Sequence, residues 1–450
     1  MKAVRLLLLT VWLAFFAISA LASGIYLAGP LKDPLWYLHC APPADSSRSA
    51  QNYQLIDFSQ FYQAGQLALS PQAHQVYDPA IQNAWAARLI APCKPDKIFY
   101  NQSVPFLYVL LIPFGKLAYN QAYVLWCLTT MAFALGALAW LVARVGFLRG
   151  WALLLFLSGV IACLPFYLTI WHGQTTFLLT GIFALFALFV MQKRNALAGL
   201  MLALSTFKPQ YMLPFVALAF GLGRGALVLY LLLFESLLMA CAAIFIGPEN
   251  IIGYPHVLAG AESSSNFVGV NPQIMASVRG VLSAFLPHQA AMVVTVTLLL
   301  ATLVPLTLVA RSLLRQTAKS PIYLEACRWL LAFTFVLALI VSPHTHYFDC
   351  LLLAVPAALT LPTVDLAALL FKRGPLVEVL SLAHRLWCIV LLLFPLLSWP
   401  INFMPASRVV EGELFLAINI LLAALAAWQI RHIFSHAQPA ISAGDDVWHT

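Results

Sequence analysis

The chain has 450 residues, 62% of them hydrophobic and only 9% charged, with a mean hydropathy of +0.89. A soluble domain carries about 25% charged residues, so the composition excludes a water-soluble enzyme. The formal net charge of +8 does not point to nucleic acid, because the basic residues are distributed between apolar runs and form no single patch.

Apolar runs of about 20 residues, the length an α-helix needs to cross a bilayer, recur along the whole chain. They fall at 5–28, 119–143, 150–170, 175–191, 225–246, 289–311, 323–341, 348–370, 379–399 and 411–431. The pieces 195–207 and 209–222 are each too short to cross alone and count together as one broken span or hairpin. The expected fold is therefore all-α, a polytopic bundle of about eleven transmembrane helices.

At the N-terminus, Lys2 and Arg5 precede the apolar stretch 6–16 and the small-residue sequence Ala20-Leu21-Ala22. This suits a membrane anchor or a cleaved signal peptide, and either one exports the next segment. Residues 29–102 then form a first extracytoplasmic loop of ordinary soluble composition. Cys40 and Cys93 bracket it and either form a disulfide in an oxidising compartment or remain thiols. The other six cysteines lie in or beside predicted spans, where a thiol behaves as a small apolar group.

Two helices are expected in this loop, lying along the outer membrane surface. One covers 56–69, with Asp57 at its start and apolar residues at helical spacing. The other covers 79–90 and is opened by Asp78-Pro79, a cap followed by proline in the first turn. The apolar run after Pro105 ends at Pro113, too short for a straight crossing, so it dips into the membrane or forms half of a broken span. A second extracytoplasmic loop, 247–288, is rich in Gly, Ser and Asn and is expected to be mobile and lid-like. Residues 1–433 read as one membrane domain, and 434–450 as a polar cytoplasmic tail.

Charge sets the direction of the path. Lys2, Arg5, Arg144, Arg149, Lys193, Arg194, Arg224, Arg311, Arg315, Lys319, Lys372, Arg373 and Arg431 all fall at turns that one alternating path puts on the cytoplasmic side. That path requires 195–222 to return to the side it left.

The polar residues with chemical potential sit at the outward turns. Asp57 suits a general base for an incoming hydroxyl, and equally a helix N-cap. Trp171-His172-Gly173-Gln174 offers an aromatic ring, an imidazole and an amide for a sugar, or serves as a turn within an interfacial aromatic belt. Lys208-Pro209-Gln210 interrupts an apolar stretch, where a lysine binds a lipid phosphate or snorkels to the interface. Ser342-Pro343-His344-Thr345-His346-Tyr347-Phe348-Asp349 gathers two histidines, a tyrosine and an aspartate for phosphate binding, for proton transfer or for a purely structural turn. Arg279 is a further phosphate contact. There is no P-loop, dinucleotide motif or serine elbow.

In order, these features are Asp57 with Tyr62 and Ala64-Gly65, Val76-Tyr77-Asp78, Phe99-Tyr100 ahead of Pro105, Gly173-Gln174, Lys208-Pro209-Gln210, and Ser342-Pro343-His344 with Tyr347 and Asp349. The series resembles glycosyltransferase family 87, polytopic GT-C-type enzymes that include polyprenyl-phosphate-mannose-dependent α-mannosyltransferases. The resemblance implies a polyprenyl-phosphate sugar as donor, a lipid or glycan as acceptor, no nucleotide or metal cofactor, and a site facing the periplasm or exterior of an inner membrane. It implies Asp57 as the base, His344, Lys208 and Arg279 as phosphate-facing cations in that order, and Tyr62, Tyr100, His172, Gln174 and His346 as further substrate contacts. Two departures stand out. Tyr100 lacks the family's closely following proline, and the His344/His346 pair leaves the phosphate ligand ambiguous. A transporter or flippase for a lipid-linked substrate is the alternative, although it would call for polar groups at midplane depth and inverted repeats.

Overall fold

The computed structural model describes residues 2–32, 57–90, 100–145, 151–263, 274–317, 322–361, 381–399 and 410–437. Among them there is no β-strand, only one isolated antiparallel bridge between Met275 and His346. The all-α expectation holds, as it must for a chain that satisfies its backbone groups internally within lipid. Cys40 and Cys93, and with them the expected disulfide, lie outside the described residues.

Among the described residues, five helices are long and apolar enough to cross a membrane. They are α6 (Tyr119–Val145), α12 (Gly225–Ile246), α15 (His288–Thr317), α16 (Tyr323–Val341) and the last helix, α19 (Val410–Ala437). The pair α7 (Trp151–Ala162) and α8 (Leu164–His172) is bent by 59° and qualifies as one broken span. Pro165 in the first turn of α8 suits the break, since a helix start needs no N–H there. Other predicted spans appear as shorter apolar helices, among them α9 (Thr176–Met191) and α18 (Leu382–Ser398). The chain is a multi-pass membrane protein.

The run 195–222 is a hairpin. The helix α10 (Asn195–Leu204) rises to two 3-10 turns, Ser205–Phe207 and Pro209–Tyr211, and α11 (Met212–Gly221) descends. Pro209 lacks the N–H that would continue the helix and drives Lys208 out of helical geometry, to φ −124° and ψ 73°. The hairpin's feet are at one end, where the Arg224 guanidinium donates to the Val190 carbonyl and Lys193 lies over the Tyr323 ring at 5.2 Å. At that same end Arg328 donates to the Val145 carbonyl at 2.5 Å. An aromatic cluster fills the space between α9, α11 and α16, with the Phe215 ring 4.8 Å from Phe183 and 4.6 Å from Phe335.

One expectation for the loops needs correction. The first loop helix, α2 (Phe58–Leu67), is no surface helix, since eight of its ten residues are buried. It docks on α5 (Ile112–Gly115), part of the broken run α4 (Pro105–Leu110) and α5. Two glycines allow the approach: a Cβ on Gly65 would lie 2.3 Å from the Leu111 carbonyl oxygen, and one on Gly115 2.5 Å from the Gly65 backbone. In the second loop Pro248–Ser263 forms a helix, α13, and Val278–Phe285 another, α14, while 264–273 lie outside the described residues. The other first-loop helix, α3, covers Pro79–Ile90 as expected, and the Asp78 carboxylate caps it by accepting from the Ala80 N–H at 2.7 Å.

Candidate active site

Asp57 immediately precedes α2, yet its side chain makes no capping bond to that helix. The carboxylate turns instead to the 171–175 turn, where Gln174 Nε2 donates to its Oδ2 and His172 Nδ1 stands 3.7 Å away. The N-cap alternative is therefore not what the structure adopts. Gly173 makes this arrangement possible. It closes α8 in the left-handed region at φ 61°, where a side chain is strained, and a Cβ there would come within 2.5 Å of Phe58 Cβ. Its carbonyl accepts from Trp126 Nε1 at 2.9 Å, which fixes the turn against α6.

The apex of the hairpin reaches the same end of the bundle. Lys208 Nζ lies 2.5 Å from Asp349 Oδ1. Asp349 is fully buried and also accepts from Thr176 Oγ1 at 2.8 Å and from the Tyr211 hydroxyl at 3.0 Å. A buried carboxylate needs partners of this kind, and here they come from two separate segments, the start of α9 and the apex of the hairpin. Phe348 sits at the centre. The His346 ring stacks on it at 5.1 Å, the His172 ring lies 5.9 Å away, and Lys208 Nζ lies 5.4 Å from its centroid.

The end of the second loop joins this turn. The Ala276 N–H donates to the Thr345 carbonyl at 2.8 Å beside the Met275–His346 bridge, which brings α14 and its Arg279 alongside. Arg279 is buried, with Nη1 3.0 Å from His344 Nε2 and Nη2 2.9 Å from His288 Nε2. A guanidinium only donates, so each of these imidazole nitrogens acts as acceptor. His346 differs from its neighbour: loss of hydration pushes its imidazole down to about 3, against the opposing pull of Asp349.

The structure thus brings together Asp57, His172, Gln174, Lys208, Arg279, His344 and His346, which are widely scattered in the sequence. Residues 104–343, more than half of the chain, match the model of glycosyltransferase family 87. The chain belongs to glycosyltransferase family 87. It is accordingly a membrane glycosyltransferase. The matched stretch contains His172, Gln174, Lys208 and Arg279, while Asp57 and His344 lie outside it. A search among curated proteins gives no match.

One expected contact, Tyr62, points elsewhere. Tyr62 donates its hydroxyl to the Leu117 carbonyl at 2.8 Å and packs edge-on against Tyr119 at 5.2 Å, so it holds α2 to the start of α6 and does not face Asp57. Tyr100 is half-buried and begins the segment 100–104. Gln82, buried beneath that segment, accepts from the Asn101 N–H at 2.7 Å, and the Asn101 side chain donates to the Gln60 carbonyl at 3.0 Å, which ties the segment to the first turn of α2. Sequence reasoning missed Thr176, Tyr211, His288 and Glu235 as members or neighbours of the site. Glu235 alone left a readable signal, a single carboxylate in the middle of the apolar run 225–246.

Proposed function

We propose that the enzyme transfers a hexosyl group, a mannosyl group in the reading closest to the family, from a polyprenyl-phosphate donor to a lipid or glycan acceptor at the extracytoplasmic face of an inner membrane. The observation that carries this reading is the Asp57 carboxylate, released from capping α2 and held by Gln174 at the same end of the bundle as the Arg279–His344 pair. The basic feet of the hairpin, Lys193 and Arg224, mark the opposite end, which the positive-inside rule makes cytoplasmic. Residues 1–433 act as one membrane domain, with 434–450 as its cytoplasmic tail.

In the reaction the acceptor hydroxyl attacks the anomeric carbon, Asp57 takes its proton, and the bond from that carbon to the phosphate oxygen breaks with its electrons going to the lipid phosphate. Attack from the face opposite the leaving phosphate inverts the anomeric centre. Charge grows on the phosphate as the bond breaks, and cations aimed there lower the barrier. The half-buried His344 is the group to touch it, as a neutral ring that accepts from Arg279 and donates its other N–H, with the buried Arg279 guanidinium behind it supplying the positive charge. Lys208 is already paired with Asp349, so its part is to hold the turn that carries His344. The family match is to transferases, which weighs against the transport alternative.

The test is transfer itself. Purified protein supplied with polyprenyl-phosphate mannose, glucose or arabinose and a lipid extract is expected to move sugar from one of them onto an extractable acceptor. Absence of transfer from all three would contradict the reading.

A further inference from the structure

Glu235 stands midway along α12 (Gly225–Ile246), a helix whose Leu232, Leu233 and Leu237 are exposed to the surroundings of the bundle. No other of the five long spans carries an acidic residue near its middle. A carboxyl group at that depth is costly unless it is used. The half-buried Glu235 accepts from Thr206 Oγ1 at 2.8 Å.

Its place relative to the site is specific. Thr206 is in the 3-10 turn that leads to Lys208, so the residue that Glu235 holds lies two positions before the Lys208–Asp349 pair. The Glu235 carboxylate adds to the burial that pushes the Tyr254 hydroxyl up. Tyr254 bonds the Gln102 carbonyl at 3.3 Å, and the neighbouring Asn101 is tied to the first turn of α2, next to Asp57. Glu235 thus stands on the helix that faces the lipid, one hydrogen bond from the turn that leads to Lys208.

A donor carried on a polyprenyl chain approaches from the lipid, and its sugar presents hydroxyl groups that a carboxyl group binds well. We propose that Glu235, oriented by Thr206, hydrogen-bonds a hydroxyl of the donor sugar and so determines which sugar the enzyme accepts. This inference rests on the transferase reading above, and it adds a specificity residue to the site without giving that residue a part in bond breaking.

The experiment uses full-length enzyme and a set of polyprenyl-phosphate sugars in which one ring hydroxyl at a time is replaced by hydrogen. Glu235→Ala is expected to lower kcat/KM for the complete donor by about 10- to 100-fold, the range for losing a hydrogen bond to a charged group. The same substitution should leave one deoxy donor nearly unaffected, because the partner hydroxyl is already gone. Glu235→Gln, which keeps a hydrogen-bonding group, should lose less, and Thr206→Val should shift donor selectivity in the same direction. If Glu235→Ala does not fold, the Gln and Val variants carry the same comparison. Equal losses with every donor would overturn the proposal in favour of a purely supporting role, as would unchanged kinetics or a change confined to the acceptor KM. Absence of transfer by the unaltered enzyme with every donor would overturn the transferase reading, and this inference with it.

Discussion

Lys208 and Asp349 are 141 residues apart in sequence, yet Lys208 Nζ lies 2.5 Å from Asp349 Oδ1, and the Asp349 side chain is fully buried. The pair fastens the apex of the broken hairpin to the turn that carries His344 and His346. A lysine within an apolar stretch looks like a phosphate ligand or a snorkelling residue in the sequence. In the fold its ammonium is already engaged, which supports the positioning role proposed for Lys208.

Breaking this pair from one side leaves an uncompensated buried charge, which costs about 3–5 kcal/mol. Lys208→Met is expected to lower the thermal unfolding midpoint in detergent markedly. Adding Asp349→Asn should recover part of that loss, because the stranded charge is removed with its partner. Strictly additive losses in the double-mutant cycle would argue against direct coupling.

The docking of α2 gives a second expectation. A Cβ on Gly65 would fall 2.3 Å from backbone, whereas one on Gly136, in α6, would meet nothing within 4 Å. Gly65→Ala should reduce both stability and transfer by pushing α2, and Asp57 with it, off its seat. Gly136→Ala should leave transfer unchanged and stabilise by up to about 1 kcal/mol from helix propensity. Thermal unfolding and transfer rate measured on both variants make the comparison.

Much of this was legible in the sequence for a physical reason. Hydrophobic runs and their basic flanks report the solvent of each segment, so the all-α class, the return path of 195–222 and the gathering of Asp57, His172 and His344 at one end of the bundle followed from composition and charge. Side-chain partners are three-dimensional facts and did not follow. That Asp57 declines its capping position for Gln174 depends on Gly173 and on packing against α6. That Tyr62 reaches the Leu117 carbonyl depends on the close approach between Gly65 and Gly115. Pro248–Ser263 hid its helix because its Gly, Pro and polar content resembles that of a loop.

His346 supplies a pH dependence with a definite sign. Its imidazole falls from the ordinary 6.5 to about 3 in the folded chain, so folding favours the neutral ring. The stability this gives is complete above about pH 6.5 and is lost progressively as pH falls toward 3. Unfolding midpoints measured from about pH 7 down to about pH 4 should decline, and His346→Gln should flatten that decline. An unchanged slope in the variant would show that another group causes it.

The Arg279–His344 pair predicts a split between binding and turnover. His344→Ala should lower kcat by about 100-fold or more, the usual loss when a group that stabilises developing charge is removed. Arg279→Lys should fall between that variant and the native enzyme, because an ammonium cannot span His344 and His288 as the guanidinium fork does. Steady-state kinetics with the donor varied provide the check. An effect on donor KM alone would place the pair in ground-state binding.

The most direct measurement is the transfer rate of Asp57→Asn. Asparagine keeps the shape of the side chain and an oxygen for Gln174 to donate to, so the variant should fold, insert and bind donor as the native enzyme does. Without a group to take the acceptor's proton, turnover should fall by about 100- to 10,000-fold. Near-native turnover by a folded Asp57→Asn enzyme would contradict the assignment of Asp57 as the base.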